Sequence, residues 1–160
     1  MYSLDTSALS NPLEKMPPSL LAYIPIWNFI YQEISNIKFL ITWEIYEELM
    51  RLENDALVSY LKTCKDQMVY EKEDFHLMYK NLKEEYSQYI YKLGATSRNT
   101  VTSVDISVIA LAKVKNIPVI SMEVSAGNSE KKKRIPDICA MEKIEHLTFN
   151  DYLKREWPQN

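Results

Sequence analysis

Only two glycines, Gly94 and Gly127, occur in the whole chain, where average usage would be about 7%. This shortage constrains the fold more than any other feature. Motifs that use several glycines to bring backbone against phosphate cannot be present, which removes Walker A loops, dinucleotide fingerprints and glycine-rich nucleotide clamps. An all-β fold is disfavoured as well, because tight hairpins draw on residues that tolerate positive φ. With 46% hydrophobic and 26% charged residues, the chain lacks the polarity of a disordered protein. Its 160 residues suit a single domain over 1–160 with a sizeable core.

Apolar patterning supplies the elements. Met1 to Leu4 reads as a short strand running into the polar turn Asp5-Thr6-Ser7. After Pro17-Pro18, Pro25 opens a helix in which Ile26, Phe29, Ile30 and Ile34 keep helical spacing. Ile37 to Ile41 reads as a second strand, and Thr42 caps a helix from Trp43 to about Leu52 with Ile45, Leu49 and Leu52 on one face. Helices follow over about Asp55–Asp66 and about Glu73–Leu93, the latter closed by Gly94 as a left-handed cap. Beyond the polar loop Ala95–Thr102, Val104–Lys115 reads as a helix ending near Asn116, then Ile117–Ser121 as a buried strand. A lysine-rich loop from Glu123 to Arg134, a short helix from Pro136, a strand near His146–Leu147 and a helix from about Asn150 complete the chain. Strands alternating with helices predict an α/β fold, a central parallel sheet covered by helices on both faces.

The charge balance is 19 bases against 22 acids, a formal net of −3, so no overall positive field draws the chain to nucleic acid or membrane. The pairs Cys64/Cys139 and His76/His146 are too far apart in sequence for a recognised zinc pattern. The start Met1–Leu9 has no basic leader region, and no apolar run approaches the ~20 residues that span a bilayer. A cytoplasmic protein without membrane contact is the expectation.

In parallel sheets, ligands bind beyond the carboxyl ends of the strands. Asp5 and Glu123 each fall just after a predicted strand, Thr42 marks the end of another before the helix carrying Glu48, and Asp105 opens a helix in the equivalent position. Four acids from separate parts of the chain are thus predicted at one rim. Asp105 shares a helix face with Val108, Ile109 and Ala112, and a carboxylate there is costly unless hydrogen-bonded, paired or bound to a metal. It can equally complement the positive helix N-terminus. Asp5 can serve as a turn residue accepting backbone hydrogen bonds, and Glu48 alone reads as a solvated helix acid.

Leu4-Asp5-Thr6-Ser7, Glu47-Glu48-Leu49 and Asp105 within Val104–Ala112 resemble, in order and spacing, the acidic motifs of PIN-domain nucleases. Ile135-Pro136-Asp137-Ile138-Cys139 after the lysine-rich loop is similar to one bacterial and archaeal PIN subfamily long catalogued as a domain of unknown function. The resemblance spans the chain and implies a three-layer α/β/α PIN-like fold. It implies a metal-dependent endoribonuclease, with VapC-type toxins as the best-known relatives and a neighbouring antitoxin as partner. Asp5, Glu48, Asp105 and Glu123 match the four family acids, the last where many relatives have Asp. Thr6 matches the hydroxyl residue that often follows the first Asp, and Asp137 would orient water or stand behind the metal ligands. Glu44 and Glu47 compete with Glu48, since helix phase is not fixed this closely by sequence.

The cofactor implied is Mg²⁺ or Mn²⁺, one ion or two, because these prefer hard oxygen ligands and make histidine and cysteine dispensable. Setting the five proposed site acids aside leaves 17 acids against 19 bases, which softens the objection from net charge. Lys131, Lys132, Lys133 and Arg134 read first as a solvated loop, but beside Asp137 they can also hold RNA phosphates. Tyr79, Tyr86 and Tyr89 read as core or as the face of a homodimer rather than as base-stacking residues. His76 reads as a surface residue and Trp43 as packing. The alternative function is a non-catalytic PIN-like module that binds RNA or a protein. A phosphatase with Asp5 as nucleophile is weaker still, because Ser7 stands where its second acid would be.

Overall fold

The computed structural model describes residues 1–91 and 100–158. Four short parallel strands form its sheet: β1 (Tyr2–Leu4), β2 (Phe39–Leu40), β3 (Val119–Ile120) and β4 (His146–Leu147), in the order β2-β1-β3-β4. Ser3 is in register with Leu40 on one side and Val119 on the other, and Ile120 pairs with Leu147. A single parallel bridge from Ile41 to Val69 prolongs the β2 edge. The chain leaves β1 first towards β2 and later returns to its other side as β3, so the topology switches between β1 and β3.

Helices α1 (Ser7–Lys15), α2 (Ile24–Ser35), α3 (Trp43–Leu49), α4 (Asp55–Met68), α5 (Glu73–Glu85), α6 (Ser103–Lys115), α7 (Ile135–Met141) and α8 (Phe149–Glu156) flank the sheet. The alternation of β1 shows how the two faces are built. The Tyr2 ring meets Tyr152 of α8 edge-on at 5.1 Å, whereas the Ser3 hydroxyl points the other way and donates to the Val108 carbonyl of α6 at 2.8 Å. A small hydroxyl residue in the central strand thus lets α6 settle against the sheet with its polar atom satisfied. The run Ile106–Ala112 is buried throughout, as expected of a helix packed between the sheet and both α5 and α7. On the first face the Tyr152 hydroxyl donates to the buried Glu33 of α2 at 2.7 Å. The result is a three-layer α/β/α arrangement around a parallel sheet, as the alternation of elements predicts.

Several boundaries differ from the sequence expectation. Helix α1 stands where only a polar turn was expected; Ala8, Leu9 and Pro12 form its buried face. Pro12 lies inside it, at the cost of one N–H in a helix too short to need many. Strands β2 and β3 are two residues each instead of five, α3 stops at Leu49, and α4 continues to Met68. Helix α5 ends at Glu85, not near Leu93, because Tyr86 turns inward and its hydroxyl donates to Glu142. The expected cap at Gly94 and most of the loop Ala95–Thr102 lie outside the described residues. Asn116 does end α6, with a left-handed φ of 52°. No helix among the described residues is long and apolar enough to cross a membrane.

Candidate active site at the carboxyl end of the sheet

Asp5 follows β1 directly and is 6% exposed. Its backbone N–H donates to Ile120 at the end of β3, at 3.0 Å. The next two residues fold back: Ser7 N–H (3.0 Å) and the Ser7 hydroxyl both donate to Asp5 Oδ2. The Ser7 hydroxyl in turn accepts from Met122 N–H at 2.9 Å. One serine therefore ties the first acid to the strand end that precedes Glu123, across the topological switch where open α/β sheets bind ligands. The turn, with Asp5 accepting a backbone hydrogen bond, is as the sequence reads it; the bridging Ser7 hydroxyl is not part of that expectation. A hydroxyl two residues after an aspartate is the signature of a local side-chain turn, and that signal could have found it.

Thr6 reaches the opposite way and its hydroxyl donates to Glu48 Oε2. Of the three candidate acids on α3, Glu48 is thus the one linked to the β1 end. Glu47 is exposed, and Glu44 lies near Tyr79, whose hydroxyl it helps burial push to a raised pKa. Thr42 caps α3 and its hydroxyl lies 3.1 Å from that of Ser107 in α6, which couples the helix of Glu48 to the helix of Asp105.

Asp105 sits in a reciprocal cap: Thr102 N–H donates to Asp105 Oδ2 at 2.6 Å while Asp105 N–H donates to the Thr102 hydroxyl at 3.2 Å. Such a cap normally favours the carboxylate. Here burial pushes the pKa up to about 7, with the charges of Asp5 and Glu123 adding to the rise against the Thr102 hydrogen bonds. Asp5 is pushed up to about 6 by burial, its Ser7 bonds opposing and the charges of Glu123 and Glu48 adding. Asp5 thus lies within electrostatic reach of Glu48 and Glu123, and Asp105 within reach of Asp5 and Glu123. Glu123 Oε2 accepts from Ile135 N–H at 2.9 Å.

Asp137 does different work. Its Oδ1 accepts from the Ser125 hydroxyl, and its Oδ2 from Ala126 N–H at 2.9 Å and Arg134 N–H at 2.8 Å. Those bonds and the nearby Lys133 outweigh partial burial and hold its pKa below the usual carboxylate range. The structure thus engages both oxygens of Asp137 with the loop before α7. Lys131 is exposed and Lys132, Lys133 and Arg134 are half-buried in this loop. Tyr86 is buried and Tyr79 and Tyr89 pack partly against the core. His76 is at the surface, 3.4 Å from Glu71. Trp43 is 41% exposed beneath the Lys65 ammonium, 4.6 Å from its ring centre.

Among the described residues no three His, Cys, Asp or Glu side chains close around a point able to hold a metal ion. The chemistry of the donors nevertheless fits a hard divalent cation. Each of the four acids spends one oxygen on protein donors, Oδ2 or Oε2, and among the described residues no donor reaches the other. Nor does any described lysine, arginine or histidine pair with them. A buried Asp5 oxygen without a donor is the kind of group a cation satisfies.

The fold and this rim define an α/β protein with acidic residues, unpaired with any cation among the described residues, at the switch point of a parallel sheet. Residues 2–159 match the family described as a domain of unknown function (DUF4411), and the chain belongs to that family. No curated protein and no solved structure matches it.

Proposed function

We propose that this protein is a PIN-type, metal-dependent endoribonuclease that hydrolyses RNA phosphodiester bonds in the cytoplasm, acting as the toxin of a toxin–antitoxin pair. The observation that carries the reading is the placement of Asp5, Glu48, Asp105 and Glu123 at one end of the sheet with no cation side chain paired to them among the described residues. Their order and spacing match the acidic motifs of PIN nucleases, and the choice of RNA, the antitoxin partner and a homodimer rest on that resemblance alone.

In this reading the four carboxylates hold Mg²⁺ or Mn²⁺, with Ser7 fixing the rotamer of Asp5 and Thr6 that of Glu48. The bound ion would supply a lowered pKa to water and charge neutralisation to the scissile phosphate. The chain's own contribution is to hold the acids aligned and to bury Asp5 so that bulk water does not compete for it; burial favours the protonated acids, and a bound cation would favour the carboxylates. Purified protein should cleave RNA with Mn²⁺ or Mg²⁺ and lose that activity in EDTA. Asp5→Asn should abolish cleavage with an unchanged circular dichroism spectrum. Equal cleavage by that variant, or in EDTA, overturns the mechanism.

A second reading, a PIN-like module that binds RNA or a protein without cutting, is favoured by two observations: Glu123 where many relatives have Asp, and acids that do not close on one point. It predicts no carboxylate-dependent Mn²⁺ binding and an RNA or partner affinity that survives Asp5→Asn.

A further inference from the structure

The segment from Glu123 to Ile135 departs from the rim and returns to it, and three separate ties hold it. At its foot, Glu123 accepts from Ile135 N–H, so the two ends of the segment meet beside the acid cluster. Asp137 then gathers Ser125, Ala126 and Arg134, residues from both limbs, onto one carboxylate. A third tie joins the returning limb to the approach of α6: Val101 N–H donates to the Lys133 carbonyl at 2.9 Å, and the Val101 carbonyl accepts in turn from Tyr91 N–H at 2.8 Å. Thr102 follows Val101 directly, and α6 then begins and brings in Asp105. Gly127, with a left-handed φ of 65°, supplies the reversal at the tip.

What the segment carries is unbalanced. Between residues 124 and 134 there are four cations, Lys131, Lys132, Lys133 and Arg134, against Glu130 alone. Among the described residues none of these four is in an ion pair with an acid, a state they share with Lys15, Lys62, Lys80 and Lys143, while Lys38, Lys113, Lys154 and Arg155 are paired. A stretch of four cations, with Glu130 within it and Asp137 beside Lys133, stands on backbone fixed at three points next to a cluster of carboxylates that would repel a polyanion.

We propose that Asp137 is a positioning residue: it clamps the two limbs of this segment so that Lys131, Lys132, Lys133 and Arg134 form a phosphate-binding rim for single-stranded RNA beside the acids. The inference rests on the nuclease reading for its choice of RNA and assigns to Asp137 a task at the substrate backbone. Its charge also offsets part of the local repulsion among the four cations, so the clamp and the spacing of the rim come from one side chain.

The test uses the full chain and a short fluorescent oligouridylate, with binding followed by anisotropy in EDTA across a salt series and cleavage followed separately with Mn²⁺. Asp137→Asn is expected to weaken binding by about tenfold and to flatten the dependence of log affinity on log salt by about 0.7 for each phosphate that the rim ceases to neutralise. In cleavage it should raise KM and leave kcat unchanged. Lys131→Ala/Lys132→Ala/Lys133→Ala should act the same way, and combining it with Asp137→Asn should add little. If Asp137→Asn fails to fold, Ser125→Ala, which removes one clamp bond and leaves α7 intact, should move KM and the salt slope in the same direction. A fall in kcat at constant KM, an unchanged affinity, a wild-type chain that does not bind the oligonucleotide, or equally tight binding of an oligoglutamate peptide each overturns the proposal. Lysine-dependent binding without metal-dependent cleavage leaves the rim standing and removes the nuclease reading instead.

Discussion

Two helices of this protein begin with the same device and end in opposite electrostatic states. Thr102 and Asp105 cap α6, and Thr148 and Asp151 cap α8, each by the reciprocal exchange of side-chain and backbone hydrogen bonds. Asp151 also has Lys154 one turn on, and its hydrogen bonds to Thr148 hold its pKa below the usual carboxylate range. Asp105 shares the backbone exchange but not the 2.6 Å hydroxyl bond that Asp151 accepts from Thr148, and is pushed up to about 7 by burial and by Asp5 and Glu123. A cap accounts for why an aspartate stands at the third position of a helix; it does not account for a carboxylate kept among other carboxylates. The excess at α6 is what a structural role leaves unexplained.

The widest separation should appear in activity. Asp105→Asn is expected to lower Mn²⁺-dependent RNA cleavage by about a hundredfold or more, while Asp151→Asn stays within about twofold of the parent under the same single-turnover conditions. Comparable losses in both would reduce Asp105 to a cap.

Stability should separate next, with opposite signs. Asp5, the neighbour that Asp151 lacks, is raised from 3.8 to about 6, so replacing it by Asn should stabilise the metal-free protein by about 1–3 kcal/mol near pH 8. Asp151→Asn should instead cost about 0.3–1.5 kcal/mol in the same denaturant titration. The pH dependence has a definite direction. Asp5 and Asp105 hold protons more tightly folded than unfolded, so the stability they lend is complete below their unfolded pKa of 3.8 and is lost as pH rises through about 6 and about 7. Asp151, whose pKa is lowered, lends stability above its unfolded value that is lost as pH falls through its folded one. Adding Mg²⁺ should flatten the loss between about pH 4 and 7; a metal-insensitive profile argues against a cation among these acids.

The smallest effect is a control. Thr102→Ala and Thr148→Ala each remove a cap acceptor and should cost a similar amount, about 0.5–2 kcal/mol, in thermal unfolding of the metal-free protein. A much larger cost at Thr102 would mean that the cap itself distinguishes the two helices.

What the sequence displays of this fold follows from where burial writes a pattern. The run Val104–Ala112 and the helix starts at Thr42 and Asp55 are legible because apolar spacing and capping residues agree there. Helix α1 is not, because Asp5-Thr6-Ser7 has turn chemistry and Pro12 interrupts the helical signal, although Ala8, Leu9 and Pro12 form one buried face. The length of α5 is misread for the opposite reason: apolar residues at Tyr86, Tyr89 and Ile90 continue the spacing, yet Tyr86 is drawn inward by Glu142, a partner 56 residues away. At the candidate site the positions of Asp5, Glu48, Asp105 and Glu123 are legible from strand ends and helix starts. Of the clamp made by Asp137, the Arg134 bond follows from capping-box spacing, but the donors Ser125 and Ala126, 12 and 11 residues back, come from a loop that no periodicity connects to it.

Strand β1 is flanked on both sides, yet its partner β3 lies more than a hundred residues further along the chain. Joining such remote segments early in folding forfeits much chain freedom before any contact repays it. Asp5 therefore cannot meet Glu123 until most of the polypeptide has been made and the sheet has closed, so a nascent chain carries Asp5, Glu48 and Asp105 before the rim that gathers them exists.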